Sequence, residues 1–144
     1  MIRQAASGDV AAIAALFERS FGTLTFLPAL HTREEHLRWF ERHVKENEVW
    51  VYDDGKIRGF ATLGADELHD LYIDPPSIGR GIGTALLDHA KQRRPHGFTL
   101  WCFQANEPAR GFYEKHGCVA SEFTDGAGNE EKTPDVLYAW RPGR

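Results

Sequence analysis

Apolar residues recur along this chain at two different periods, and the switch between them predicts the elements. Val10, Ile13, Leu16 and Phe17 follow at helical spacing, an apolar stripe that predicts a helix facing a core. Asp9 stands just before it, where a carboxylate can accept from the free amides of a first turn. Ile2 to Gln4 predicts a short strand ahead of that helix. From Phe21 to His31 the pattern breaks, and Gly22 and Pro28 mark a loop. Thr32 and Glu35 then stand at capping-box spacing, opening a second helix with Leu37, Phe40 and Val44 on its buried face.

Beyond Glu48 the period becomes two. Val49 and Val51 point one way, Trp50 and Tyr52 the other, and Asp54-Gly55 predicts a two-residue hairpin turn. Ile57 to Leu63 is the returning strand and Glu67 to Ile73 a third, closed by Asp74-Pro75-Pro76, since proline cannot donate to a ladder. Ile82, Leu86, Leu87 and Ala90 restore the helical period. Lys91, Arg93 and Arg94 follow at the end of that helix, where cations complement its dipole. Phe98 to Cys102 reads as a strand. A helix from about Asn106 follows, with Pro108 in its first turn and Gly117 just past its end. Cys118 to Phe123 and Val136 to Trp140 are the last strands, and the polar stretch Thr124 to Pro134 is a loop. The order β-α-α-β-β-β-α-β-α-β-β places the chain in the α/β (α+β) class, a mixed sheet with helices on its faces.

No repeat or linker divides the 144 residues, so one domain over 1–144 is expected. A net charge of −4 argues against a broad phosphate-neutralising face, hence against nucleic acid as partner. No run of apolar residues is long enough to span a membrane. Met1-Ile2-Arg3-Gln4 lacks the pattern of a secretory leader, so a cytoplasmic location is expected. Cys102 and Cys118, the two cysteines, read as buried, reduced thiols. The seven histidines form no HExxH or His/Cys cluster, so no metal is expected. His36, His43 and His89 read as solvent-facing.

The strongest chemical signal is Ile78-Gly79-Arg80-Gly81-Ile82-Gly83-Thr84, between a strand and a helix. Glycines permit positive φ and close approach of a ligand to the backbone. The unpaired amides and dipole of the next helix favour an anion. Thr84 offers a hydroxyl donor and Arg80 a charge, so a diphosphate suits the loop. No Gly-Lys-Ser/Thr is present for a P-loop. The loop also comes too late in the chain for a dinucleotide fingerprint.

Gly81 and Gly83, with Gly79-Arg80 before them, resemble the Gln/Arg-x-x-Gly-x-Gly/Ala motif of GNAT-type N-acetyltransferases. Asn106, Ala109 and Phe112-Tyr113 resemble that family's Asn-x-x-Ala-x-x-Phe-Tyr segment. The resemblance spans nearly the whole chain. It departs at Ile78, which occupies the opening Gln/Arg position, so a side-chain contact there would be missing while backbone contacts survive. It implies a mixed central sheet of about seven strands flanked by about four helices. It also implies transfer of an acetyl group from acetyl-CoA to a primary amine, by direct attack on the thioester.

Such a reaction needs a general base for the amine, a donor for the oxyanion and an acid for the departing thiolate. The resemblance assigns the acid to Tyr113, whose ordinary pKa of about 10 keeps it protonated at neutral pH. Glu67 matches a glutamate base that some members carry on this strand, with His69 as a rival. Alternation puts Glu67, His69, Leu71 and Ile73 on one strand face. Backbone groups of Leu71, Tyr72 and Ile73 are expected to pair with the pantetheine arm. Gly79, Arg80, Gly81, Ile82, Gly83 and Thr84 would hold the diphosphate, with Asn106 and Ala109 beside the arm. Asn106 also suits an ordinary N-cap. The acceptor, a small amine or a peptide amine, is expected between the region of Phe26, His31, Glu35 and Trp39 and the acidic stretch of Asp125, Glu130, Glu131 and Asp135. A non-catalytic acyl-CoA-binding module and a nucleotide binder stay open at this point. So does the choice between monomer and homodimer.

Overall fold

The computed structural model describes residues 1–143. Seven strands and four α-helices form in the expected order. The strands are β1 (Ile2–Gln4), β2 (Glu48–Asp53), β3 (Ile57–Leu63), β4 (Leu68–Ile73), β5 (Phe98–Phe103), β6 (Val119–Phe123) and β7 (Asp135–Trp140). The helices are α1 (Val10–Phe21), α2 (Arg33–Glu46), α3 (Ile82–Arg93) and α4 (Glu107–Lys115). The sheet is not continuous. β1-β2-β3-β4 form a four-stranded sheet and β5-β7-β6 a three-stranded one, each with antiparallel neighbours. One parallel bridge, Glu67 to Thr99, joins them.

Each face of the first sheet has its own core. Ile13, Leu16 and Phe17 of α1 and Phe40 of α2 pack on Val49, Val51 and Phe60. On the opposite face Leu86, Leu87 and Ala90 of α3 pack with Ala61, Leu63 and Leu68, and that core continues into Phe98, Leu100, Val136 and Tyr138 of the second sheet. Residues 59–63 of β3 are therefore buried on both faces. Val49 and Val51 point into the first core while Trp50 and Tyr52 border the second, as period two requires.

Local signals behave unevenly. Thr32 and Glu35 form the expected reciprocal cap, at 3.2 Å and 2.9 Å. Asn106 caps α4 by accepting from the Ala109 amide at 3.3 Å. Asp9 does not cap α1. It closes a short 3-10 turn, accepts from the Ala6 amide at 2.8 Å and pairs with Arg3 at 2.8 Å. The β2–β3 turn is one residue longer than Asp54-Gly55 predicts, because Asp53 pairs with Ile57 and Lys56 joins the loop. The Glu67–Ile73 strand begins at Leu68, with Glu67 left as the isolated bridge. Both cysteines are buried and free.

Glu48, at the start of β2, accepts from Arg93 at 2.9 Å, Arg94 at 3.1 Å and the Trp50 indole at 3.0 Å, tying this strand to the end of α3. The Arg93 hydrogen bond leads in holding its carboxyl down at about 2, against an ordinary 4.5. A depressed folded pKa stabilises the fold above the unfolded value, and that contribution is lost as pH falls from 4.5 towards 2. Glu48→Gln should cost about 1 kcal/mol at pH 7, the scale of a partly exposed charge network. The gap from wild type should close at the acid end, as read by urea denaturation across pH.

Candidate functional site

The glycine loop bends as its composition predicts. Gly79 and Gly81 have φ of 89° and 79°, and a Cβ on either would meet nothing within 4 Å. Gly81 is the N-cap of α3, with no side chain closing the turn, and the first intrahelical amide bond runs from Ala85 to Gly81 at 3.0 Å. The amides between them have no partner within the helix. Gly83 lies under the Phe112 ring, where a Cβ would come within 3.4 Å. A groove of about 280 Å³ runs from this loop along β4, lined by Leu71, Ile73, Ile78, Gly81, Ala109 and Tyr113 among others. Its walls are aliphatic and one end is a set of free amides. A thin, mostly apolar chain ending in a diphosphate fits those two properties.

Not every residue expected at the groove is there. Arg80 is exposed and is not among the lining residues. Ile78 does line it, with 68% of its surface exposed. The Thr84 hydroxyl is engaged: it lies 3.1 Å from His116 Nε2, while His116 Nδ1 lies 2.8 Å from the Phe112 carbonyl. A carbonyl only accepts, so Nδ1 carries the proton, and Nε2 accepts from Thr84. The Thr84 side chain therefore presents lone pairs to the groove rather than a free donor.

A bulge in β4 decides which side chains face which way. Thr62 pairs with Asp70 but Leu63 pairs with Leu68, so His69 is an extra residue. The expected common face of Glu67, His69, Leu71 and Ile73 is thereby broken. Leu71 and Ile73 face the α3 core. The His69 ring instead lies 5.6 Å from that of His43 on α2, and its Nδ1 is 3.1 Å from the Glu67 carboxylate. The Tyr72 side chain turns away from the groove and packs edge-on against Phe17, 5.1 Å away, leaving only its backbone on the β4 edge. Glu67 is not among the residues lining any of the cavities described here.

Beyond the Glu67–Thr99 bridge the far edge of β4 is hydrogen-bonded to no strand, and β5 splays away from it. The cleft so opened, about 90 Å³, is lined by Asp70, Leu71, Cys102, Asn106 and Tyr113. Tyr113 thus borders both the groove and the cleft. Burial holds its phenol well above the ordinary value, and pushes the Cys102 thiol up to about 11.

On the other side of β4 lies a cavity of about 350 Å³, walled by Phe17, Phe21, Trp39, Tyr72 and Phe103, with Glu18, Asp70 and Glu131 supplying carboxyls. The loop before α2 and the loop before β7 meet over it, where His31 Nε2 lies 3.0 Å from Glu130. Glu130 and then Glu35 hold the His31 imidazole above its ordinary value. Asp135 is buried rather than part of a solvated loop, accepting from Thr124 and Asn129. Asp125 caps its own turn by accepting from the Ala127 amide at 2.9 Å, away from the cavity. Phe26 packs on Phe103 at 6.1 Å, bracing the loop before α2.

Residues 45–117 match the family model described as the acetyltransferase (GNAT) domain. The chain is 32% identical to the peptidyl-lysine N-acetyltransferase YiaC of Escherichia coli, over 97% of this chain and 96% of that protein. The chain belongs to the GNAT acetyltransferase family. This GNAT protein is an N-acetyltransferase, of a family that uses acetyl-CoA. Among solved structures, apo YjaB from Escherichia coli superposes with a TM-score of 0.79 at 27% identity, covering 97% of this chain and 96% of that one. The PaiA N-acetyltransferase of Thermoplasma acidophilum, in complex with coenzyme A, shares the fold at a TM-score of 0.77 and 20% identity, covering 98% of each chain. No helix among the described residues is long and apolar enough to cross a membrane, and these residues hold no cluster suited to a metal.

Sequence reasoning passed over Asp70 in this GNAT chain. Its signal was a third ionisable residue beside Glu67 and His69, in a strand otherwise apolar. Nor are the histidines solvent-facing as expected. His36 lies 2.7 Å from Glu18, and His89 packs against Trp50 at 4.2 Å. His43 accepts from the Asn47 side chain at 2.8 Å, and burial, then His69, push its imidazole down to about 4. A lowered folded value means the unfolded chain takes up this proton first, so stability falls as pH drops from 6.5 towards 4. In an NMR titration the His43 ring should remain neutral at pH 5.5 while a denatured control is protonated.

Proposed function

We propose that this chain transfers the acetyl group of acetyl-CoA to the ε-amine of a lysine in a protein or peptide. The observation that carries the reading is Tyr113, at the junction of a groove suited to an acyl-CoA arm and a cleft leading to an aromatic, acid-bearing cavity. Acetyl-CoA, when bound, supplies an activated thioester carbonyl and a thiolate leaving group.

The chain's own residues then divide the work. The free amides of Gly79, Gly81, Ile82, Gly83 and Thr84 hold the diphosphate at the positive end of α3. Backbone groups of Leu71, Tyr72 and Ile73, on an unpaired sheet edge, bond the arm as an added strand would. Ala109 and Ile78 give it apolar contact, and Asn106 lies beside the cleft. Arg80, exposed at the loop, adds a field rather than a contact. Tyr113 Oη holds the proton that the departing sulfur takes, and burial keeps that phenol protonated throughout the neutral range.

The lysine reading draws on the relative YiaC, named a peptidyl-lysine N-acetyltransferase, and on the cavity's chemistry. Phe17, Phe21, Trp39 and Tyr72 can cover an alkyl stem and face its cation. Glu18 and Glu131 favour a positive charge at the same place.

The test is acetyl transfer to lysine peptides, read by mass spectrometry, against peptides with N-acetyllysine at that position. Transfer to the free lysine supports the reading, and acetyl-CoA binding without transfer to any amine would overturn it. Tyr113→Phe should lower kcat by about 10²-fold or more, the scale of a lost general acid, with little change in acetyl-CoA affinity by calorimetry. Gly83→Val should act oppositely, weakening that affinity, because its side chain would crowd the Phe112 ring.

A further inference from the structure

Asp70 is a half-buried residue whose carboxyl has no cation paired with it among the described residues. Its Oδ2 is shielded from solvent and has no hydrogen-bond partner. Its cross-strand neighbour is Thr62, whose buried hydroxyl stands beside the carboxyl and favours its charged form, against the larger opposing effect of burial. No salt bridge among the described residues involves Asp70. An unpaired buried polar group costs on the order of 1–3 kcal/mol, and more for a charge, so each one in a native fold needs a reason.

Its position supplies one. Asp70 borders the aromatic cavity on one side and the β4–β5 cleft on the other, and Tyr113 lines that same cleft. Glu67, the carboxylate expected from sequence to serve as base, is bonded to His69 and lines neither space. The geometry points to Asp70 as the general base of the acetyl transfer, its cavity-facing carboxyl oxygen taking a proton from a primary ammonium that enters through the aromatic cavity.

This assignment rests on the N-acetyltransferase reading above and adds the residue and the charge state of the acceptor. In the first step an ammonium N–H bond breaks and an O–H bond forms on the cavity-facing oxygen of the Asp70 carboxyl. The amine lone pair is freed, and the two opposite charges cancel inside the cavity. As the C–N bond forms, nitrogen gives up a second proton, which replaces the one Tyr113 passes to sulfur. Asp70 then returns its own proton to solvent through the cavity mouth. An uncharged acceptor would leave the carboxylate uncompensated, so the site selects a cationic primary amine.

Burial pushes the Asp70 carboxyl up to about 6, which leaves it ionised above neutrality yet basic enough to take a proton. Several groups face it. Tyr72 on its own strand, Tyr113 from α4 and Cys102 from β5 are all raised by burial, away from the neutral range. Burial raises Glu18 of α1, but hydrogen bonds from His36 and Arg33 outweigh it and hold that carboxyl low. His36 from α2, Glu131 from the loop before β7, and His69 with Glu67 earlier on β4 complete the set. His36 lines the aromatic cavity and His69 the cleft, so each needs its own control.

The experiment is the pH profile of kcat/KM for a lysine peptide with wild type, Asp70→Asn, His36→Gln and His69→Gln. Wild type should show an acid limb near pH 6. Asp70→Asn should lose that limb and fall about 10²-fold or more at pH 7.5. It should keep acetyl-CoA affinity within about twofold, and should melt no lower than wild type, because a buried unpaired charge has gone. The two histidine variants should retain the limb. Should Asp70→Asn fold poorly, Asp70→Ser carries the same expectations. A persistent limb and near-normal rate in the Asp70 variants would overturn the assignment, as would loss of the limb in a histidine variant alone. Peptide affinity of the CoA-bound protein separates this from failure of the wider reading. If wild type binds the lysine peptide but transfers nothing, the transfer reading falls. Equal lysine-peptide affinity in wild type and Asp70→Asn removes Asp70 from the ammonium site independently of turnover.

Discussion

Glu67 meets Thr99 in a single parallel bridge, backed by the Thr99 amide on the Asp66 carbonyl at 3.0 Å, and past that point β4 and β5 part. A continuous sheet would have saturated the far edge of β4 and filled the space beside it. The parting instead leaves strand-edge backbone facing open space, which sheets normally avoid. It is tolerated because the helices on both faces hold the strands in place. Phe17, Phe40 and Phe60 pack on one side and Ile82, Leu86 and Leu87 on the other. Groove, cleft and aromatic cavity all abut this one strand.

The bulge at His69 works with the parting. A strand displays alternate residues on opposite faces, so an extra residue exchanges the faces of everything after it. Leu71 and Ile73 consequently serve the apolar groove, while Asp70 and Tyr72 serve the aromatic cavity. Burial then acts on each ionisable group in the same sense, favouring its neutral form. For Tyr72, Tyr113 and Cys102 that means a proton retained throughout the neutral range. For Asp70 the same force brings a carboxyl near neutrality, where it can exchange one. One interior thus holds phenols and a thiol that keep their protons, and a carboxyl whose charge burial opposes.

The order of strands and helices was legible because each signal was local. Val10, Ile13, Leu16 and Phe17 carry a helical period, Val49 to Tyr52 a strand period, and Thr32 with Glu35 a reciprocal cap. Glycines at 79 and 81 announced a loop needing positive φ, and it has one. What the sequence could not carry depends on pairing between distant segments. The β4 bulge exists only relative to β3, so alternation placed His69 with Leu71 when the fold opposes them. Asp9 looked like a cap because its spacing suited one, yet Arg3, itself held at 3.0 Å by Asp53, draws it backwards. Thr124 to Pro134 read as a solvated loop because its residues are polar. Its Thr124 and Asn129 turn inward to satisfy the buried Asp135, leaving Glu130 to reach His31.

In the proposed transfer Tyr113 must sit at a fixed distance from the group it serves, and α3 and α4 are locked to each other beside it. Thr84, in the first turn of α3, donates to His116 just past α4, and the same ring donates to the Phe112 carbonyl. Lys91, further along α3, reaches the His116 carbonyl at 2.7 Å and lies 5.3 Å over the Trp140 ring. Gly83 allows the Phe112 ring to rest directly on the α3 backbone. Tyr113 follows Phe112 in sequence, so these contacts fix its phenol relative to the amides at the head of α3. The hydroxyl of Thr84 is therefore spent on aligning the two helices rather than on an anion. That leaves the backbone amides of the glycine loop as the fixed donors at this end of the groove.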